Sequence, residues 1–139
     1  MKLLRICFYT LIGSFVTLGC APAIRSIASF DDKKFFDESP SIVSYQERYF
    51  LRFVYTTSEP FAHFMMCDSK IKNDSLFYYL PVTSSSGDRR GQIQFQEVVG
   101  KDKTQIIKKG KVFWKEPNGN LVLMKVEQVK TGEVQLLPK

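Results

Sequence analysis

The feature that most constrains the fold is an alternation of apolar and polar residues with a period of two, which is clearest from residue 45 onward. In the stretch YQERYFLRFVYTT, residues 45–57, apolar side chains occupy one parity, and polar side chains, Arg48 and Arg52 among them, fill most of the other. Because successive side chains of a β-strand point to opposite faces, this pattern predicts a long strand with one buried face. The apolar parity comprises Tyr45, Tyr49, Leu51, Phe53 and Tyr55.

Five more runs with strand character follow, separated by segments rich in Gly, Asn, Asp, Ser and Pro. Pro81 predicts an edge strand or a strand end, because proline cannot donate to a sheet ladder. Gly110, inside the run at residues 104–116, predicts a β-bulge. Residues 68–75 predict a turn, and EPNGN, residues 116–120, is the strongest turn signal in the chain. The five runs cover residues 61–67, 76–82, 92–99, 104–116 and 121–129. The residues predicted to point inward are Leu76, Tyr78, Leu80 and Val82 in the second of these runs, and Ile93, Phe95 and Val99 in the third.

About six strands with little helix between them predict an all-β fold. An antiparallel sandwich of the immunoglobulin type is the first expectation, and a small barrel, for example of the lipocalin type, is the alternative. Trp114 lacks the cysteine pair that accompanies the tryptophan of antibody domains. The composition agrees with one folded domain, since the chain has 139 residues, of which 44% are hydrophobic and 24% charged.

The first twenty residues have the layout of an export signal. Lys2 and Arg5 precede an uncharged and mostly apolar run over residues 6–18. That length fits the core of a signal peptide and is shorter than the roughly 20 residues that a membrane-spanning helix needs. A buried helix of a cytoplasmic protein is the competing interpretation.

Two cleavage sites fit the residues behind the apolar run. The segment VTLGC, which ends at Cys20, resembles the lipobox of bacterial lipoproteins, with Gly19 as the small residue before the cysteine. Thr17 and Leu18 depart from the Leu and the small residue that are usual three and two places before it. The resemblance implies that Cys20 carries a diacylglycerol and becomes the N-terminus, on the outer membrane or periplasmic face of a bacterial cell envelope. Alternatively, cleavage after Ala23, in Ala-Pro-Ala, releases a soluble secreted protein.

These features predict four parts of the chain. Residues 1–19 form a signal peptide, and residues 20–40 a lipidated N-terminus and tether, although apolar residues of the tether, Phe35 and Phe36 among them, could dock part of it on the domain. Residues 41–130 form the β domain, and residues 131–139 a polar C-terminal tail.

Few residues suggest catalytic chemistry. Cys67 and the single histidine, His63, share one parity of a predicted strand and lie four positions apart, about 13 Å along it, which is too far for a dyad. Cys67 is expected to be a small buried hydrophobe. Asp31, Asp32 and the nearby Asp37 and Glu38 fall in the predicted tether, where they read as solvated charges. We therefore expect no enzyme activity, no catalytic residue, no metal and no cofactor.

The basic residues are the only weak binding candidates. The formal net charge of +6 is too small and too scattered to predict a nucleic-acid partner. A loose cluster near the predicted fifth strand could bind an acidic partner, or could simply keep exposed strand edges soluble. The candidates are Arg89, Arg90, Lys108, Lys109 and Lys111.

The predicted function is that of a membrane-anchored envelope lipoprotein, a non-enzymatic interaction or structural module. Its partners are the membrane, through lipid on Cys20, and a protein of the envelope. Two alternatives remain open: a β-barrel that binds an apolar small molecule, and a secreted soluble β protein cleaved after Ala23.

Overall fold

The computed structural model describes residues 24–56, 62–64, 66–84 and 93–139. Within these ranges the chain forms eleven strands, one α-helix (α1, Lys101–Lys108) and one 3₁₀ helix (Thr131–Leu136). The strands are β1 (Ile24–Ile27), β2 (Phe36–Tyr45), β3 (Arg48–Tyr55), β4 (Ala62–Phe64), β5 (Asp68–Lys72), β6 (Ser75–Tyr79), β7 (Pro81–Ser84), β8 (Ile93–Glu97), β9 (Val112–Lys115), β10 (Leu121–Leu123) and β11 (Val126–Gln128).

The central sheet has the strand order β11-β2-β3-β8. Its longest pairing is the antiparallel hairpin β2–β3, in which Ile42 lies opposite Leu51 and Tyr45 opposite Arg48. The hairpin turn consists of Gln46 and the next residue, Glu47, both with positive φ. The long strand predicted over residues 45–57 is therefore wrong at its start, because the chain reverses there and only Arg48–Tyr55 belongs to β3.

The second sheet has the order β10-β9-β6-β5 and contains two tight turns. Asn73 and Asp74, both with positive φ, connect β5 to β6. The predicted turn at these two residues is confirmed, but residues 68–72 form a strand. Residues 116–120 connect β9 to β10, as predicted, and the Gly119 N–H donates to the Glu116 carbonyl oxygen at 2.9 Å.

The third sheet is small and has the order β1-β7-β4. The chain passes from the second sheet into the third without reversing, because β6 ends at Tyr79 and β7 begins at Pro81. Pro81 is the first residue of its strand, which confirms the predicted strand end. Along this path the predicted inward residues are all buried, namely Leu76, Tyr78, Leu80 and Val82.

The core lies between the central sheet and the other two sheets, and Trp114 is at its centre. This side chain has no exposed surface, and its indole N–H donates to the Ala28 carbonyl oxygen at 3.0 Å. The rings of Phe36 and Phe53 lie 6.2 and 6.3 Å from it, edge to face. Burial of such large aromatic groups supplies most of the apolar stabilisation of a small β domain.

The opposite face of the central sheet is also covered. Phe50 and Val43 point to this side and are buried. The 3₁₀ helix Thr131–Leu136 lies against it, and its Glu133 side chain bonds Arg52 of β3. Both faces of β3 are therefore buried, although the sequence pattern predicts one.

The protein is therefore mostly β, with three sheets in a sandwich-like all-β fold, as the sequence predicts. The described strands do not close into a barrel. The pairings are mainly antiparallel, but β11 runs parallel to β2, and β9 runs parallel to β6.

The strand predicted over residues 104–116 is a helix in its first part and a strand, β9, in its second. Residues 101–108, of which the sequence assigns 104–108 to the fifth strand, form α1, and Ile106 and Ile107 are its buried residues. Gly110 does not form a bulge; with a φ of 69° it terminates the helix. Its N–H donates to the Ile107 carbonyl oxygen and that of Lys111 to the Ile106 carbonyl oxygen, the pair of bonds that closes a helix with a left-handed glycine.

The predicted tether and tail are the largest errors of the sequence prediction. Residues 24–40 contribute β1 and the first half of β2, and Ala28 and Phe36 are buried in the core. Residues 131–139 dock through Glu133, which is 7% exposed. The described fold therefore includes residues 24–40 and the C-terminal segment, while residues 20–23 of the predicted tether lie outside the described residues.

Candidate interaction surfaces

The structure describes only some of the predicted site residues. Cys20, Arg89 and Arg90 lie outside the described residues. Lys108 is the last residue of α1, and Lys109 and Lys111 follow it. We refer to these three described lysines as the lysine cluster.

Two lysines of the lysine cluster, Lys109 and Lys111, form ion pairs with Asp74 in the β5–β6 turn. The Lys111 ammonium lies 3.2 Å from an oxygen of Asp74, and the Lys109 ammonium lies 3.4 Å from both carboxylate oxygens. The hydrogen bonds from Lys111 and Lys109 lower the pKa of the Asp74 carboxyl. All these side chains are about half exposed, so solvent and salt screen the pairs and they contribute little to stability. The cluster keeps a net positive charge.

A shallow depression of about 630 Å³ lies beside the cluster. Two lysines and one carboxylate contribute charge to its wall, namely Lys108, Lys125 and Glu127. Leu123 and Val126 contribute exposed apolar surface. Leu123 is 59% exposed. This combination suits an acidic ligand or partner that also has an apolar part.

A second open surface is an apolar groove of about 510 Å³ beside β8. Met66 and Val99 line it and are 77% and 74% exposed, whereas Phe53 and Tyr55 line its buried side. The sequence predicts Val99 to point inward, but Val98 is buried instead. Exposed large apolar side chains in one groove are typical of a protein-binding surface. The remaining lining residues are Gln94, Phe95, Gln96, Glu97 and Pro138.

The sequence prediction missed a group of charges around a buried arginine. Arg52 is 5% exposed and donates two hydrogen bonds of 2.7 Å to the two carboxylate oxygens of Glu133. A third bond, of 2.6 Å, goes to Glu38. Hydrogen bonds from Arg52 lower the pKa of both carboxyls, and its bond to Glu133 raises the pKa of Arg52 itself.

This arginine group is structural. Glu38 and Glu133 are 14 and 81 positions from Arg52 in the sequence, so no local sequence motif predicts the arginine group. The one signal in the sequence is Arg52 itself, placed on the polar parity of a strand whose neighbours are all large and apolar. The group fixes the 3₁₀ helix to the central sheet, and both carboxylates are already occupied by the guanidinium.

Cys67 is a buried thiol, as predicted. Its sulfur lies 3.2 Å from the Tyr79 carbonyl oxygen, and burial raises its pKa well above the ordinary range of a thiol. Its backbone N–H and carbonyl oxygen bond the side-chain amide of Gln96, at 2.8 Å each. A thiol that remains protonated is a poor nucleophile. The backbone of His63 lies in β4, opposite Thr83.

Among the described residues, no group of three or more His, Cys, Asp or Glu side chains is arranged to hold a metal ion. None of the described helices has the length and apolar character to cross a membrane.

Comparisons of the chain with models of protein families, with curated protein sequences and with solved structures found no match.

Proposed function

We propose that the protein is a bacterial envelope lipoprotein, anchored through lipid on Cys20, whose β domain is a non-enzymatic interaction or structural module. The observation that supports the proposal is the position of Cys20 relative to the first described strand. That strand begins at Ile24, so in the sequence Cys20 lies between the apolar segment and β1, with three residues between Cys20 and Ile24. This is the order in which a lipoprotein has its signal peptide, its acylated cysteine and its folded domain.

Lipid on Cys20 is sufficient to hold the domain at a membrane. One acyl chain gives marginal residence, whereas two or more give stable anchoring, at about 0.8 kcal/mol for each buried CH₂ group. The β domain then needs no membrane-spanning segment of its own. Its surface is free to bind a partner in the envelope.

The apolar groove beside β8 supports the interaction role. Met66 and Val99 expose apolar surface that folding did not bury, and the groove is open to a partner. Cys67, the only cysteine among the described residues, is buried and remains protonated, which favours a binding role over thiol chemistry.

Two cysteine variants test the anchor. In bacteria that express the full chain and are fed an alkyne-bearing fatty acid, Cys20→Ser is expected to abolish labelling and to move the domain from the membrane to the soluble fraction. Cys7→Ser is the matched control, because Cys7 lies in the apolar segment that cleavage removes. Equal labelling of both variants, or membrane retention of Cys20→Ser, would contradict the proposal.

A second candidate function has one observation in its favour. The Ala-Pro-Ala site ends at Ala23, and β1 starts at the next residue, so cleavage there would release a complete folded domain. The product would be a soluble secreted β protein. Labelling with fatty acid separates the two candidates, because the product of this cleavage lacks Cys20.

A further inference from the structure

We infer that the lipid anchor holds the domain end-on, with the Ile24 end of the third sheet at the membrane surface and the lysine cluster at the far end. The inference rests on the proposed acylation of Cys20. It assigns the bilayer to one end of the molecule and places the lysine cluster away from the bilayer at the other.

The length of chain between the anchor and the fold is the first argument. Cys20 and Ile24 are four residues apart, and an extended chain spans at most about 3.6 Å per residue, so about 14 Å separates their Cα atoms at most. Ile24 is fixed in the sheet by its pairing with Thr83 of β7. The lipid therefore cannot move far from this edge of the third sheet.

The direction of the strands is the second argument. From Ser75 to Ser84 the chain passes from β6 into β7 through the single residue Leu80, so its two ends lie at most about 30 Å apart at roughly 3.3 Å per residue. Ser84 lies beside the pairing of Ile24 with Thr83, at the anchored end. Asp74, the partner of the lysine cluster, immediately precedes Ser75 at the other end.

The neighbouring strand confirms this polarity. β9 runs parallel to β6, and the Leu76 N–H donates to the Lys111 carbonyl oxygen at 2.9 Å, which places Lys111 beside the start of β6. At the other end of β9, Glu116 accepts hydrogen bonds from the Phe30 N–H and the Ser29 hydroxyl, close behind β1. Both strands therefore lead from the lysine cluster toward the anchored end.

This geometry separates the lysine cluster from the anchoring bilayer. Electrostatic attraction to anionic headgroups fades over a Debye length, about 8 Å at physiological salt, and the strand path between the two ends is several times longer. The lysine cluster is consequently presented to the space beyond the membrane.

Headgroup quenching measures this orientation. The acylated full-length protein is reconstituted into phosphatidylcholine vesicles that contain a lipid with a nitroxide on its headgroup, which quenches only nearby dyes. A thiol-reactive dye is attached at Ser26→Cys, near the anchor, or at Lys108→Cys, in the lysine cluster. Both positions are exposed, so neither change disturbs the core. The unsubstituted protein reports any labelling of Cys67.

The dye at position 26 is expected to lose most of its fluorescence, and the dye at position 108 to lose almost none. Insertion of twelve Gly and Ser residues between Ala23 and Ile24 adds a flexible tether of about 20 Å and is expected to relieve most of the quenching at position 26. Equal quenching at both positions, or the reverse order, in vesicle-bound protein overturns the orientation alone. Protein that fails to bind the vesicles because Cys20 is unmodified overturns the anchor as well.

Discussion

Residues 24–40 and residues 131–139 both look like appendages in the sequence and are both parts of the fold, but they are attached by different forces. The N-terminal segment pairs as strands and buries Ala28 and Phe36 in the core around Trp114, and Glu38 and Glu116 add polar contacts to this mainly apolar attachment. The C-terminal segment is held by the buried pair of Glu133 with Arg52. Burial of apolar groups does not depend on side-chain protonation, whereas an ion pair depends on both partners and on their charge.

The largest effect is expected where the N-terminal segment meets the core. Trp114→Ala removes the ring that packs against Phe30, Phe36 and Phe53, and is expected to lower the free energy of unfolding by about 4 kcal/mol. Urea denaturation followed by circular dichroism measures the change. Trp114→Phe keeps an aromatic ring and loses the bond to the Ala28 carbonyl oxygen, so its loss should be clearly smaller. Equal losses in the free energy of unfolding for the two variants would show that packing of the aromatic ring is not the main contribution of Trp114 to stability.

Arg52→Met is expected to lower the free energy of unfolding by about 3 kcal/mol, because Glu133 is left buried without its partner. The informative control is the double variant Arg52→Met with Glu133→Leu, which replaces the pair by apolar side chains. Denaturation should show most of the loss recovered in the double variant, since such replacements are often neutral. No recovery would mean that the arginine acts mainly through Glu38.

Glu116 allows a comparison with Glu133, because it is a partly buried carboxylate that holds the N-terminal segment. Its oxygens accept hydrogen bonds from the Ser29 hydroxyl and from the Phe30 N–H. Glu116→Ala is expected to cost about 1.5 kcal/mol in the free energy of unfolding, less than Arg52→Met, because water can replace the lost partners at this more open position. If Glu116→Ala lost more free energy of unfolding than Arg52→Met, Glu116 would hold the N-terminal segment more strongly than Arg52 holds the C-terminal segment, which would contradict the expected order.

Lowering the pH is expected to weaken the attachment of the C-terminal segment before that of the N-terminal segment. This loss is gradual, because it follows the protonation of Glu133. Hydrogen bonding to Arg52 lowers the pKa of Glu133 in the folded state, so the stability from this pair is complete above the ordinary glutamate pKa, about 4.3, and is lost as the pH falls below it. Hydrogen exchange should show the Glu133 and Leu137 amides losing protection in acid before the Ala28 and Phe36 amides. Simultaneous loss at all four would indicate global unfolding instead.

The sequence pattern correctly predicted the features that depend on local alternation of apolar and polar residues. It failed where contacts between distant segments determine the structure. The all-β class, the turns at Asn73–Asp74 and after Glu116, and the inward residues from Leu76 to Val82 follow from period two and turn chemistry. The β2–β3 turn was missed because Gln46 and Glu47 are poor residues for positive φ, so the pairing of the strands must impose that conformation.

The errors at α1 and at the two ends have specific causes. Ile106 and Ile107 are adjacent, which suits a strand or a short helix equally, and Gly110 was read as a bulge when it terminates the helix. The N-terminal segment carried a readable signal in its apolar residues, Phe36 above all. The C-terminal segment carried none, because the partner that buries Glu133 lies 81 positions away.

The most direct test of the account is the intact mass and N-terminal sequence of the mature protein, purified from membranes of bacteria that express the full chain. If the protein is anchored by lipid on Cys20, the polypeptide begins at Cys20 and is heavier than its amino acids by a glycerol group and two or more fatty acyl chains. An unmodified polypeptide that begins at Ile24, or one that still carries Met1, would contradict it.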